Sequence, residues 1–529
     1  MHRLDSQWFF WAAVASGLSL LVISATPAAG APAAPATPSV AAAPPAGTAV
    51  VAQPSDATGM DPALSRDVPT RNILRHLYDP LFQRLGSRQV KDANGPDNFK
   101  PVLALRWKRV KPATWRFWLR PNVKFSDGGL FTADSVVYNM DRLLGKVAGT
   151  PAGLATLNSF STLAGAKKIS RYVVDISTTA PDPLILGRLA NFPLVSDHVE
   201  ASTLASSPDG TGPYRLQTWD RNNQVVLQAK PAYFLGKPKI STVVFRPIPD
   251  AGARNAALLA GDADLVTNVA PDSVPQLKSS KNATVKVVNS TREGVFCLDA
   301  INNPVLGKVQ VRQAINYAVD VNTIIKQVLG GYAVRTATLV PSFFTGYDAA
   351  VKPYPYNPTR AKQLLAQAGY ANGFTMRMMA PTNFGLDVPQ AIAGYLGAVG
   401  IKVNIEPMDF PSFVRATQNG HKLDDSCYAS LTNPLFDPGP ELDTLVRSGS
   451  TALSWYANAT MDSLLTAANR TVVSKVRNKI LARIQNLMHD EATHLFLYNL
   501  KNIYGVSKRL NWNPRRDELI YMYDASLKK

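Results

Sequence analysis

Only two cysteines, Cys297 and Cys427, occur in 529 residues, too few for a disulfide scaffold, and neither stands near the N-terminus to carry a lipid anchor. In an oxidising compartment the two can pair, although their apolar, strand-like surroundings favour two buried free thiols. After residue 23 no apolar run reaches the roughly twenty residues of a membrane span. Gly210 and Gly212 lack the third glycine and the helix start of a nucleotide loop. No Gly-x-Ser-x-Gly elbow is present. Acidic residues are scarce beside basic ones, 38 against 56, for a formal net charge of +18. The cations scatter instead of lining one element, which argues against nucleic acid and for a solvated surface that can attract anionic ligands.

What is present is a soluble globular composition, 46% hydrophobic and 18% charged, on a chain long enough for about two to four domains. Arg3, the apolar residues 8–23 and the small residues Ala29, Gly30 and Ala31 form the pattern of a secretory signal. The apolar run is short for an uncleaved anchor, which is the alternative. Alanine and proline dominate residues 31–47, the composition of an extended tether, so the fold is expected to begin near Thr48.

Residues 73–85 carry Leu74, Leu77, Tyr78, Leu81 and Phe82 at helical spacing. Trp115, Phe117 and Leu119 alternate with polar and aromatic neighbours as in a strand, and Thr132 caps a helix with Val136, Val137, Met140, Leu143 and Leu144 on one face. Gly210, Gly212 and Pro213 make a stiff turn feeding Tyr214 into a strand. Residues 225–227 and 242–245 are strands, and Gly261 ends a helix over 253–259 before the turn acids Asp262 and Asp264. A strand from Gly294 to Asp299 precedes helices over 309–319 and 324–329. Asn357 and Pro358 start another helix that Gly369 ends. Residues 388–399 are helical, Ile401, Val403 and Ile405 a strand, Ile480, Ile484 and Leu487 a last helix, and 495–498 a returning strand. Such alternation argues α/β lobes.

The stretch GTGPYRLQTWDRNNQVVLQAKPAYFLGKPKISTVVFRPIPDAGARNAALLAGDADLV, residues 210–266, resembles the signature of the family 5 extracellular solute-binding proteins, the peptide, oligopeptide and nickel receptors of bacterial ABC importers. WRFWLRPNVKFSDGGLFTADSVVYNMDRL and VRQAINYAVDVNTIIKQVLGG are two further blocks similar to that family. The resemblance implies a two-lobed periplasmic-binding-protein-like fold of the large, cluster C type with an extra subdomain in lobe I. Its expected parts are a signal peptide (1–31), an Ala/Pro-rich linker (32–47), lobe I (48–290 plus 495–529, with a subdomain at about 93–199) and lobe II (291–494). Hinges are expected near 290 and 495. The implied protein is a monomeric periplasmic carrier, not an enzyme, with no cofactor, no metal and no nucleic-acid partner. It captures a peptide-like or related small solute between the lobes and delivers it to an inner-membrane ABC permease. The alternatives are a secreted hydrolase on the same scaffold, or a periplasmic chaperone or sensor using the cleft without transport.

Catalytic and metal patterns are weak. His489 and His494 are five positions apart, which on a helix sets them about 140° from each other, off the single face that a zinc pair needs. Asp262 with Asp264, and Asp424 with Asp425, look like turn acids. For a binding cleft the candidate walls are Tyr214, Phe384, Phe436 and Trp455, with Asn383, Asn433 and Asp437 as polar contacts. Peptide receptors of the family hold the ligand amine with an Asp ahead of the acidic-Pro pair. Here Asn433 and Pro434 stand in that place within ASLTNPLFDPGPEL, leaving Asp437 as the local carboxylate. The loop APTNFGLDVP, where dipeptide receptors present an Arg to the ligand carboxylate, has none after Arg377. A ligand charge buried without a partner is strongly disfavoured, so the expected solute is less zwitterionic: a modified peptide, an opine-like compound or a metal chelate.

Overall fold

Where the alanine and proline run gives way to β-branched residues, Thr48–Gln53 forms a fully buried strand. The computed structural model describes residues 47–65, 67–85, 94–154, 159–418, 425–450 and 453–528. The signal segment, the linker up to residue 46 and Asp424 lie outside them. Eleven described strands share one sheet. Its order is Ile401–Met408, Phe374–Pro381, Ser426–Thr432, Ala283–Leu298, His494–Ser507, Leu265–Val266, Thr48–Gln53, Thr242–Pro247, Gln224–Ala229 and Tyr214–Asp220. Ala333–Arg335 joins beside His494–Ser507.

The sheet serves two lobes. Alternate residues of Thr48–Gln53 feed two cores in the first. Ala49 and Val51 pack with Ile73, Tyr214 and Phe245, and Val50 and Ala52 with Leu258 and Val266. In the second lobe Phe296 faces Ile315, Leu364 and Ile392, while its neighbour Val295 faces Trp455, Leu481 and Ile484. A separate four-stranded antiparallel sheet, Ala104–Lys111, Thr114–Leu119, Val173–Thr178 and Leu163–Ser170, makes the subdomain. The helix Ala133–Leu143 covers it, started by a capping box between Thr132 and Ser135, and Phe117, Phe131, Val136 and Phe192 fill the space between. The buried pair of Arg142 and Asp61, at 2.6 Å, ties this helix to the first lobe.

Local chemistry explains the signature turn. A Cβ at Gly210 or Gly212 would collide with the backbone of His76 and Leu77. Bare backbone there lets Gly212 N–H donate to the Leu77 carbonyl at 3.0 Å. Thr211 and Tyr233 hydroxyls, donating to Asp79 at 3.0 and 2.9 Å, tie this stretch to the Leu-Tyr-Asp-Pro segment. Burial pushes the Asp79 carboxyl up to about 6.

Several expectations need correction. The helix placed over 73–85 is Val68–Leu77, begun by Asp67 accepting from Thr70 N–H, and Pro80 stops it before the short strand Phe82–Arg84. The strand expected from Gly294 starts eleven residues earlier, at Ala283. Asp264 is no turn acid: it is buried, accepts from Val50 N–H at 2.9 Å and pairs with Arg509. His489 and His494 do not share a helix, because Ser474–Asp490 ends between them. Cys297 and Cys427 stand opposite each other on paired strands, both buried and free.

The two longest strands, Ala283–Leu298 and His494–Ser507, run side by side through both lobes. Between the pairs Asn289 with Lys501 and Glu293 with Asn499 the first strand carries three residues and the second only Leu500. This bulge, Ser290 to Arg292, interrupts the ladder between its two paired stretches. Asn499 Nδ2 donates to the carbonyls of Ser290 and Arg292 at 2.8 and 2.9 Å, and Ser290 Oγ donates to the Leu500 carbonyl at 2.9 Å. Replacing Asn499 with alanine strands both carbonyls, so urea unfolding should report a loss of about 1–3 kcal/mol with an unchanged circular dichroism spectrum.

Candidate functional site

The strand Ser426–Thr432 delivers the chain into a loop, residues 433–438, that ends in the short helix Gly439–Leu445. Asn433 braces the loop: its Oδ1 accepts from Leu435 N–H at 3.1 Å and its Nδ2 donates to the Asp437 carbonyl at 2.6 Å. Both Asp437 carboxylate oxygens are taken by Arg477, one at 2.7 Å, and Oδ1 also accepts from Gly439 N–H at 3.0 Å. Each partner is at most 3% exposed, so this pair is a buried strut. So fixed, the loop holds Phe436 at φ +57°, a conformation a bulky residue adopts only under constraint.

The subdomain reaches this loop from the other lobe. Asn191 Nδ2 donates to the Pro434 carbonyl at 3.1 Å and Asn94 Nδ2 to the Leu435 carbonyl at 3.3 Å. Beside these bridges lies a cavity of about 470 Å³. The helix Val68–Leu77 contributes Arg71 and Arg75, the helix Ile185–Asn191 contributes Arg188 and Asn191, and Phe160 and Phe192 supply aromatic wall. The opposite lobe contributes residues 431–435, Pro440, Glu441 and Thr444. Its size and mixed lining suit a small organic ligand.

Both signs of charge meet here. Arg75 is occupied with the carbonyls of Ala190 and Asn191, and Arg188 with Asp182. The half-buried Arg71 guanidinium makes no hydrogen bond or ion pair to the described residues. Burial, then the Arg75 charge, bring it down only to about 10, so it stays cationic. Burial raises the Glu441 carboxyl to about 7. Its neighbour Glu293, on Ala283–Leu298, is raised well above the usual carboxyl range by burial and then by the Glu441 charge.

Of the residues expected to contact ligand, Asn433 lines this cavity and six do not. Tyr214 is a core residue of the first lobe, its hydroxyl donating to the Ile240 carbonyl at 3.0 Å. Trp455 is buried in a second-lobe core, and Asn383 and Phe384 stand where Phe384 packs against Phe410. Phe436 turns away to Phe343, Phe344 and the Arg84 guanidinium. Asp437, expected as the local carboxylate, is consumed by Arg477, and the carboxyl facing the cavity is Glu441, four residues on. The signal for Glu441 was available: it shares the buried helix face of Leu442 and Leu445, an odd place for an acid. Among the described residues no three His, Cys, Asp or Glu gather to hold a metal.

The family described as bacterial extracellular solute-binding proteins, family 5 Middle, matches residues 98–452. The chain belongs to this family. Glutathione-binding protein GsiB of Escherichia coli strain K12 is 27% identical over 485 residues, 87% of this chain and 90% of that protein. In structure the chain is similar to DppA from Helicobacter pylori, solved with the peptide STSA (TM-score 0.77, 23% identity, 91% of this chain and 98% of that one). It is also similar to NikZ from Campylobacter jejuni, solved with Ni(L-His) (TM-score 0.75, 21% identity, 91% and 100%). The fold is thus the two-lobed periplasmic-binding-protein type, and the relatives are binding proteins. Among the described residues of this family 5 protein no helix is long and apolar enough to cross a membrane.

Replacing Arg477 with methionine leaves Asp437 buried without its cation. Stability should fall by about 3–5 kcal/mol, and amide hydrogen exchange should quicken across residues 433–441. Adding Asp437→Leu should restore most of the stability, which urea unfolding of single and double variants checks.

Proposed function

We propose that this solute-binding protein is exported to the periplasm by residues 1–31, captures a small peptide-like solute between its lobes and passes it to an inner-membrane ABC permease. Lobe I comprises residues 48–290 plus 495–529, with the crossing points at the bulge after Asn289 and at Asn499 to Lys501. The observation that carries the reading is the cavity of about 470 Å³ whose walls come from both lobes. A solute held by both walls favours the closed arrangement over the open one, and only that difference in affinity shifts the population. It works as a monomer, without catalysis.

The relatives support the solute class. GsiB binds glutathione, and DppA was solved with a peptide. Among the described residues Arg71 is a cavity cation without a hydrogen bond or ion pair, suited to a solute carboxylate. The sequence pointed to a less zwitterionic solute because the familiar anchor positions are empty, but Arg71 and Glu441 supply charges of both signs from other positions.

Two measurements test this. Denaturing the purified protein should release a small molecule detectable by mass spectrometry, and adding glutathione or a short peptide to the emptied protein should contract its X-ray scattering profile. A protein that neither releases nor takes up a small molecule overturns the reading. Ligand at a hundred times its dissociation constant should add about 2.7 kcal/mol of stability. Arg71→Ala should weaken carboxylate-bearing ligands about ten- to hundredfold while leaving the melting temperature of the empty protein nearly unchanged, since Arg71 supports no other group.

A further inference from the structure

Two carboxyls sit where the cavity meets the hinge. Glu441 lines the cavity and is 7% exposed, and Glu293, 1% exposed, follows the bulge directly on Ala283–Leu298. Among the described residues each keeps one carboxyl oxygen, Oε1, buried without a hydrogen-bond partner. The one side-chain donor to Glu441 is Asn433 Nδ2, at 3.4 Å to Oε2. Among the described residues no cation is paired with either acid. Arg477 is committed to Asp437, Arg292 to Glu518 and Arg188 to Asp182. Across the cavity Arg75 is held by backbone carbonyls, and Arg71 stands on the far wall, where the charges of Asp517 and Glu518 act on it.

Two buried acids without a counter-cation are a poor arrangement for an empty protein. They become a good one when a cation arrives. We infer that Glu441, backed by Glu293, receives a protonated amine of the captured solute, and that one proton leaves the carboxyl pair for solvent as the amine seats. This rests on the cavity being the solute site. It narrows the solute to a compound carrying a primary amine, with its carboxylate directed to Arg71. Neither residue stands where the family's amine-binding Asp is expected. The pair titrates as a unit, so the proton released belongs to both carboxyls.

The linkage has a definite sign. With the free Glu441 carboxyl near 7, the amine must displace a proton at lower pH and meets a ready carboxylate at higher pH. Affinity should therefore rise about tenfold from about pH 5.5 to about pH 7, where an α-amine is still mostly protonated.

The experiment is titration calorimetry of the full-length mature protein with trialanine and N-acetyl-trialanine, in two buffers of different ionisation heat. Trialanine should bind at least tenfold more tightly than its acetylated form, and at about pH 5.5 it should release close to one proton. Glu441→Gln should erase both the preference and the proton release while keeping the native melting profile, and Glu293→Gln should keep the preference but shift the pH profile. Equal binding of the two peptides, or a preference that survives Glu441→Gln, overturns the assignment and leaves the solute-binding reading standing. If neither peptide binds, the solute released on denaturation is treated with dansyl chloride, and a solute that does not react overturns the assignment in the same way. If no solute is released either, both readings fall.

Discussion

The two lobes share one ladder. Ala283–Leu298 and His494–Ser507 pair on both sides of the bulge at Ser290 to Arg292, and under the proposed lobe division this is where relative movement of the lobes is absorbed. A bulge is a weak point only if its backbone groups go unpaired, and here they are replaced partner for partner. Asn499 takes the Ser290 and Arg292 carbonyls, and Ser290 Oγ both donates to Leu500 and accepts from Arg292 N–H at 3.1 Å. The bulge thus interrupts the ladder while keeping these backbone groups hydrogen-bonded.

The same bulge is wired to the cavity. Thr291 accepts from Asn433 N–H at 3.1 Å, its hydroxyl lies 3.0 Å from that of Thr432, and its own N–H donates to the Arg516 carbonyl at 3.0 Å. Glu293 is the next pairing residue, and Glu441 faces it. The loop that carries Asn433 is held from behind by the Asp437 and Arg477 pair, strong enough to keep Phe436 in a left-handed conformation. A contact made in the cavity is thus one or two hydrogen bonds from the bulge.

Fold class and most element positions were legible because period and caps are local signals. Thr132, Asn357 and Gly261 mark the helix boundaries where the sequence places them, and Ile401, Val403 and Ile405 alternate as a strand should. The 73–85 helix was misplaced because apolar spacing continued past Pro80 while the chain did not. The site was mostly illegible. Aromatic residues such as Tyr214 and Trp455 have the composition of a cleft wall but fill cores, and nothing local separates the two roles. Asp437 and Glu441 differ only in whether a basic residue forty positions away, Arg477, reaches them. Such pairing is tertiary, so spacing alone cannot tell which of the two acids is held in an ion pair.

Magnitudes decide how the lobes behave without a guest. The described contacts that cross the gap at this loop include Asn191 to Pro434 and Asn94 to Leu435, neutral hydrogen bonds worth about 0.5–1.5 kcal/mol each, and the Arg84 guanidinium over the Phe436 ring, worth about 0.5–2 kcal/mol. Carrying a population from mostly open to mostly closed takes about 5.5 kcal/mol of differential binding. Together they fall short, and under the proposed function Glu293, Glu441 and Arg71, which have no ion-pair partner among the described residues, push the other way, since closing an empty cavity takes these polar groups away from water. A solute that neutralises those groups removes the penalty and adds contacts to both walls in the same step. Under the proposed function, the polar groups that look wasteful in the empty cleft are what makes closure depend on occupancy.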